Sequence, residues 1–322
     1  MARPEWRFDP LTGRHVLIAP DRAERPIRSA VACPFCEGHE SETPAEVLSY
    51  RAAGSAPNGP GWRVRVVPNR YAAVRMDLGE PGALETGASG TPVSNAPGSP
   101  GVGVAEVFIE CSHHETAFRN LSLDKATEVL RAWRDRLRFW RDDSRLAFAQ
   151  VFKNEGPSAG ASVEHCHSQL IGITFVPPQI ADEVSRFAGT CPTCEWFGRE
   201  RHGPRFVFAS DRFAAVCPIV PRFPGETWIV PKSHAHAFEV TDDATLPELT
   251  ETIRDLLIRI DHAFAGPDFN LIVRSAPFRG GESFHWRIEI LPRTTTTAGW
   301  EWGTGLLINT MFPEQAAELL RK

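Results

Sequence analysis

The feature that most constrains this chain is a pattern written twice. Cys33-x-x-Cys36 is followed by His114 and His165, and Cys191-x-x-Cys194 by His234 and His285; in each set the histidines stand 51 residues apart. Two thiolates and two neutral imidazoles form a closed tetrahedral donor set suited to Zn²⁺, of the structural rather than the catalytic kind. A Cys-x-x-Cys turn lets both sulfurs reach one ion, while the distant histidines tie later strands to it, so binding would stabilise each copy. His113 competes with His114 and His236 with His234, and the matched spacing favours His114 and His234. The alternative reading is small buried thiols and hydrogen-bonded core histidines. Cys111 and Cys217, which stand alone, read as buried inert thiols.

Other matches fall in the same order along the chain. Asn69-Arg-Tyr-Ala-Ala-Val74 returns as Asp211-Arg-Phe-Ala-Ala-Val216, His114-x-x-x-Phe118 as His234-x-x-x-Phe238, and His165-Cys-His-Ser-Gln-Leu170 as His285-Trp-Arg-Ile-Glu-Ile290. Val74 to His114 is 40 residues and Val216 to His234 is 18, an excess of 22 in the first copy. Residues 79–103, rich in Gly, Pro, Ser and Thr, read as a mobile loop that accounts for it. Ala126, Val129, Leu130, Trp133, Leu137 and Trp140 recur at helical spacing over 122–142, with Ser122 as N-cap. Leu249, Ile253, Leu256, Leu257, Ile260 and Phe264 repeat the pattern. Each helix precedes two strand-like runs, 146–152 then 168–176, and 269–273 then 286–291. The fold expected is α+β: two tandem halves, 1–178 and 179–322, each an antiparallel sheet with packed helices, joined near 178–188.

The segment from Phe152 to Leu170 carries the chemistry. Small residues from Gly156 to Ser162 let a phosphate approach backbone N–H groups. The strand that follows puts His165, His167 and Gln169 on one face, because side chains alternate with period two. An imidazole at 167 can attack phosphorus through its neutral nitrogen and become a cationic phosphoramidate. Its other nitrogen then needs an acceptor, such as a backbone carbonyl, to fix the tautomer. Gln169 can donate to a non-bridging oxygen without exchanging protons with the leaving group. In the second half Arg287 and Glu289 stand at these positions, so that half reads as catalytically dead.

The Asn154-x-Gly156, Gly160-x-Ser162 and His165-x-His167-x-Gln169 pattern resembles the transferase branch of the histidine-triad superfamily, specifically the galactose-1-phosphate uridylyltransferase family. The likeness spans most of the chain, including Asp9-Pro-x-Thr-Gly13, Arg22-Ala-x-Arg25-Pro26, Asn69, and Gly303-Thr-Gly305 through Asn309 to Phe312-Pro-Glu314. It implies two histidine-triad-like halves, the second degenerate. It also implies exchange between UDP-glucose and galactose-1-phosphate by double displacement through a nucleotidyl-His167 intermediate. By position, Gln169 would hold the transferred phosphoryl group, and Asn154, Gly160 and Ser162 would line the phosphate and ribose site, with Ser162 on the leaving phosphate. Arg22 and Arg25 would meet the phosphate or sugar end, Asn69 the base, and Cys33, Cys36, His114 and His165 a first zinc ion. Gly303, Thr304 and Gly305 would contribute to a substrate pocket, across the interface of a homodimer; an exposed glycine turn is the competing reading of that segment. Two departures matter. Cys166 stands where Pro is frequent between the histidines, and reads as a tolerated small residue. A second Cys-x-x-Cys set replaces a carboxylate-and-histidine iron site, a feature that, with the Ser-Ala-Gly-Ala-Ser loop, resembles a branch containing an ADP-glucose-phosphorylysing adenylyltransferase.

Other classes are less well served. A formal net charge of −5 provides no basic footprint for nucleic acid. No apolar run approaches the roughly 18 residues needed to span a bilayer, and residues 1–20 lack the apolar core of a signal peptide, so a cytoplasmic protein is expected. Three readings remain open: uridylyl transfer between sugar-1-phosphates, phosphorolysis of an ADP-sugar or dinucleotide, and a zinc-stabilised module that binds nucleotides or RNA without chemistry. The first two make a UDP-sugar or ADP-sugar and a sugar-1-phosphate the small-molecule partners.

Overall fold

The computed structural model describes residues 3–24, 33–78, 85–86, 92–93 and 99–322. Ten strands form one antiparallel sheet: β1 (Leu48–Arg51), β2 (Trp62–Pro68), β3 (Gly103–Ile109), β4 (Phe148–Glu155), β5 (His167–Ile173), β6 (Phe206–Ala209), β7 (Phe213–Val216), β8 (Thr227–Pro231), β9 (Phe269–Arg274) and β10 (Arg287–Pro292). Their order across the sheet is β6-β7-β8-β10-β9-β4-β5-β3-β2-β1. Each half contributes five strands in the same arrangement. The two sets meet edge to edge, with Asn270 of β9 opposite Asn154 of β4 and Phe269 opposite Glu155. β3 and β10, covered on both faces, bury every residue.

Helices α1 (Leu123–Arg141) and α4 (Leu246–Phe264) lie together over one face, where Thr127 Oγ1 meets Thr250 Oγ1 at 3.3 Å. All the apolar positions predicted from helical spacing turn inward, with Trp140 and Phe264 half-buried at the margin. One hydrophobic core runs beneath both helices, fed by Val66, Phe108 and Leu170 from one half and Ile229, Leu271 and Ile288 from the other. Ser122 caps α1 as expected, its hydroxyl accepting from the Lys125 N–H. Between the halves, where a joint was expected, stand the short helices α2 (Pro178–Ser185) and α3 (Pro192–Glu200).

Sheet register corrects one part of the repeat. Arg65 faces Ile109 and Ala215 faces Ile229, so β2 matches β7 and Pro68 matches Pro218. Asn69–Val74 follows its strand whereas Phe213–Val216 is the strand itself, so that six-residue likeness does not mark equivalent places. Measured from the prolines, the intervals to His114 and His234 are 46 and 16 residues, and the first half carries an excess of 30. The loop expected at 79–103 lies largely outside the described residues; β3 takes its last residue, Gly103. Asp9–Gly13 forms the turn of a hairpin between Glu5–Phe8 and His15–Ile18, with the Asp9 carboxylate accepting from the Leu11 N–H and the Thr12 hydroxyl. No helix among the described residues is long and apolar enough to cross a membrane.

Candidate active site

β5 begins at His167, and its alternation decides what faces where. Ser168 turns toward α1, where its hydroxyl accepts from Trp133 Nε1 at 2.7 Å. His167 and Gln169 turn to the opposite face and line a cavity of about 360 Å³ together with Phe35, Asn69, Tyr71 and Ser162. His167 Nδ1 lies 2.7 Å from the carbonyl oxygen of His165. A carbonyl only accepts, so Nδ1 carries the proton and Nε2 the lone pair, the tautomer an attacking imidazole requires. Phe35 sets its ring edgewise against both His165 and His167, with centroids 6.0 and 5.4 Å away.

The loop after β4 is shaped from the other half. At Gly156 (φ +86°) a Cβ would overlap the Asp268 carboxylate, which accepts from the Ser158 N–H at 2.6 Å. Asn270 Nδ2 donates to Asn154 Oδ1 at 2.9 Å and to the Ala159 carbonyl at 2.8 Å. Gly160 closes this turn in the left-handed region, φ +87°. The Ser162 hydroxyl is buried without a hydrogen-bond partner among the described residues. It lies between the His167 cavity and an adjoining one of about 330 Å³ that Arg119, Gly156 and Asp268 also line. An orphaned buried hydroxyl is costly in a protein interior, and a ligand oxygen beside it removes the cost.

The remaining expected residues distribute as follows. Asn69 lines the cavity, with its Oδ1 accepting from the Tyr71 N–H. Arg22 donates to the Tyr71 carbonyl at 3.3 Å, which sets it at the cavity rim rather than in its wall. Arg25 lies outside the described residues. Gly303 and Thr304 end the helix Gly299–Thr304 and Gly305 follows; all three are exposed and line no part of the His167 cavity within one chain. Cys166 is buried, its thiol donating to Glu110 Oε2 at 2.7 Å. Burial and the Glu110 carboxylate push that thiol well above its ordinary pKa, so it is an inert neutral group.

Both Cys/His sets converge. Cys33, Cys36, His114 and His165 bring their ligand atoms within 4.8 Å of one another, as do Cys191, Cys194, His234 and His285. Sulfur-to-Nδ1 separations are 3.4–3.6 Å in the first cluster and 3.4–3.8 Å in the second. A tetrahedral ion with Zn–S and Zn–N bonds of about 2.3 and 2.0–2.1 Å implies edges of about 3.6 Å, so the spacing fits. His165 Nε2 meets the Cys111 carbonyl at 2.9 Å and His285 Nε2 meets that of Pro231 at 3.0 Å, orienting Nδ1 toward the sulfurs in each. Burial holds both rings neutral, with pKa values near 4. Either cluster could hold a metal ion; His113 and His236 belong to neither.

Sequence reasoning missed Phe35, Asp268 and Asn270. Phe35 left a trace, since the first Cys-x-x-Cys reads Cys-Pro-Phe-Cys and the second Cys-Pro-Thr-Cys. Asp268 and Asn270 left none, because their contacts depend on the pairing of β4 with β9.

A duplicated α+β fold that sets His167, Gln169 and Ser162 around one phosphate-sized cavity fits a nucleotidyltransferase. Comparison with known proteins agrees. The family model described as "Galactose-1-phosphate uridyl transferase, N-terminal domain" matches residues 1–177, and one described as "Domain of unknown function (DUF4921)" matches 115–321. ADP-glucose phosphorylase of Arabidopsis thaliana is 33% identical, across 99% of this chain and 93% of that protein. Galactose-1-phosphate uridylyltransferase of Thermotoga maritima is 27% identical, across 99% and 98%. A crystal structure of the Arabidopsis phosphorylase with bound ADP-glucose superposes with a TM-score of 0.77 at 30% identity, covering 100% of this chain and 99% of that one. The chain belongs to the galactose-1-phosphate uridyl transferase family.

Proposed function

We propose that the protein transfers a nucleotidyl group from a nucleoside diphosphate sugar to a phosphate-bearing acceptor by double displacement through His167. The observation that carries this is the His167 Nδ1 bond to the His165 carbonyl beside Gln169 and the unpartnered Ser162 hydroxyl. In the first step Nε2 forms a bond to the α-phosphorus, the bond from that phosphorus to the bridging oxygen breaks, and a sugar-1-phosphate leaves. In the second, an oxygen of the incoming phosphate bonds to the same phosphorus, the Nε2–P bond breaks, and the imidazole returns to its starting tautomer. Gln169 donates to a non-bridging oxygen, and backbone N–H groups of the Gly156–Ser162 loop and the Ser162 hydroxyl steady charge on the others. Asn154 and Gly160 shape the phosphate and ribose end, Asn69 meets the base, and Arg22 and Arg25 meet the phosphate or sugar.

Family membership makes UDP-glucose and galactose-1-phosphate the first substrate pair. A second reading, ADP-glucose with inorganic phosphate, is favoured by the higher identity to the Arabidopsis phosphorylase than to the Thermotoga uridylyltransferase, 33% against 27%. Both clusters hold structural Zn²⁺, two ions per chain, and their reduced thiols suit a cytoplasmic setting. Residues 1–178 form the catalytic unit and 179–322 its degenerate copy. The chain works as a homodimer. Exposed Trp302, Leu306 and Phe312 surround Gly303–Gly305 and form the apolar contact that brings this segment to the partner's cavity.

Intact-mass spectrometry after incubation with UDP-glucose or ADP-glucose tests the chemistry and identifies the base. A nucleotidyl adduct that is acid-labile and absent from His167→Ala is expected. Turnover without an adduct, or an adduct that survives the substitution, overturns the nucleophile assignment.

A further inference from the structure

The two halves differ in how far their matching strand pairs stay zipped. Residues of the second half are related to those of the first by 120 positions along these strands, as His114 and His165 are to His234 and His285. In the second half the ladder between β9 and β10 runs to Arg274 opposite Arg287. In the first, the ladder between β4 and β5 ends at Phe152 opposite Gln169, two residues short of the pair Asn154–His167. β4 keeps its bonds to β9 while leaving β5. The β4 ladder thus stops short of the His167 carbonyl. That carbonyl receives the Lys153 ammonium at 3.2 Å instead.

That ammonium is part of a buried cluster. Lys153 and Glu110 are 1% and 0% exposed and meet at 2.8 Å. Lys153 Nζ also lies 3.2 Å from the Cys166 sulfur and 3.6 Å from Glu155, which in turn accepts from the Phe118 N–H. Burying such charges is costly, and apolar replacements of similar volume commonly serve the fold as well or better. The second half makes that replacement itself: Val230, Val273 and Trp286 occupy the positions of Glu110, Lys153 and Cys166, all buried. The scaffold therefore does not require the cluster. The half with the nucleophile has it.

We infer that Lys153, held by Glu110, is a positioning residue for His167: its side chain replaces the ladder bond that β4 withdraws when it turns into the phosphate loop. Past the end of the ladder β4 runs into the Gly156–Ser162 loop beside the His167 cavity, while the ammonium keeps the His167 backbone from following β4. The inference rests on the reading of His167 as nucleophile, and deepens it.

The test uses the full chain and the pair Lys153→Val with Glu110→Val, which installs the second half's residues. We expect a folded protein with unchanged metal content by elemental analysis and unchanged KM for the nucleotide sugar. Its kcat should fall by about 100-fold, as for an attacking group displaced by about an ångström, and backbone hydrogen exchange over 165–170 should be faster. Unchanged kcat overturns the inference; so does loss of kcat, KM and metal together, the signature of general damage. Should the double variant not fold, Lys153→Arg and Lys153→Met decide: Arg keeps a donor and recovers most of the activity that Met loses, and equal kcat for the two overturns the proposal. Wild-type protein is followed in parallel for the His167 adduct. Its absence overturns the nucleophile reading and this inference with it, whereas an adduct that forms at the same rate in wild type and double variant overturns the inference alone.

Discussion

At the end of β5 the first half keeps an open cavity and an unsatisfied hydroxyl; at the same place on β10 the second half is filled with paired charges. Glu289 stands where Gln169 does, and its carboxylate receives Arg287 and Arg222 at 2.6 Å each and Arg274 at 3.3 Å. Arg287, in the place of His167, reaches Glu183 at 2.7 Å and lies 4.2 Å above the Trp228 ring. One scaffold thus carries two solutions. Where charges can be satisfied internally the copy gains order, and where they are left to a ligand it gains chemistry. Each retains its Cys/His cluster, so the cluster belongs to the scaffold rather than to the reaction.

The comparison breaks most sharply at the paired positions. His167→Ala should lower kcat by at least about 10⁴-fold, the scale of losing a nucleophile, with metal content unchanged. Arg287→Ala should spare kcat and lower the melting temperature instead, since it removes one of the three guanidiniums around buried Glu289 and the 2.7 Å partner of Glu183. Steady-state kinetics and thermal unfolding on both variants decide this; comparable turnover from the two would erase the distinction between the halves.

Acid should act on the filled pocket of the second half. Burial alone raises the Glu289 carboxyl, and the guanidiniums of Arg287, Arg274 and Arg222 outweigh it, leaving its pKa near 2 against an ordinary 4.5. A lowered folded-state pKa adds stability that is complete above the unfolded value and lost as pH falls toward the folded one. The window is therefore about pH 5 to 2, and the loss is on the order of 3 kcal/mol. Chemical denaturation across that window should show the slope in wild type and a shallower one in Glu289→Gln. An identical slope in the two would place the acid sensitivity elsewhere.

The metal clusters sharpen the contrast in a milder way. His165 is both a candidate ligand and the residue whose carbonyl fixes the His167 tautomer. Cys36→Ser should therefore cost about 10–100-fold in activity along with stability, while Cys194→Ser costs stability alone. Elemental analysis with kinetics separates them. Equal activity loss from both would mean that the second cluster reaches the site, which its pairing with the filled pocket argues against.

What could be read from the sequence was what repeats or alternates locally: the ligand sets, both long helices, and the common face of His167 and Gln169. What could not be read depends on non-local pairing. The joining of β4 to β9 makes ten strands one sheet and delivers Asp268 and Asn270 to the loop of the other half, yet neither residue belongs to a motif. The likeness of Asn69–Val74 to Asp211–Val216 misled for the same reason, since equivalence follows sheet register and the register pairs Pro68 with Pro218. Cys166 was legible as inert, but its acceptor, Glu110, comes from the end of another strand.

The smallest difference between the halves lies at the start of their long helices. Ser122 caps α1 with a 3.4 Å bond from the Lys125 N–H, whereas Thr245, at the same place before α4, has helical backbone angles and makes no side-chain cap bond. A capping hydroxyl is worth roughly 0.5–2 kcal/mol, and the length of this bond puts Ser122 at the lower end. Ser122→Ala should therefore destabilise the protein by about 0.5 kcal/mol, and Thr245→Ala by less, in urea unfolding with an unchanged slope. Neither should alter turnover, because α1 and α4 lie across the sheet from the His167 cavity. A kcat change in Ser122→Ala would mean that α1 transmits strain through the Trp133–Ser168 bond to the neighbour of His167, and the division of labour between the two faces of the sheet would have to be redrawn.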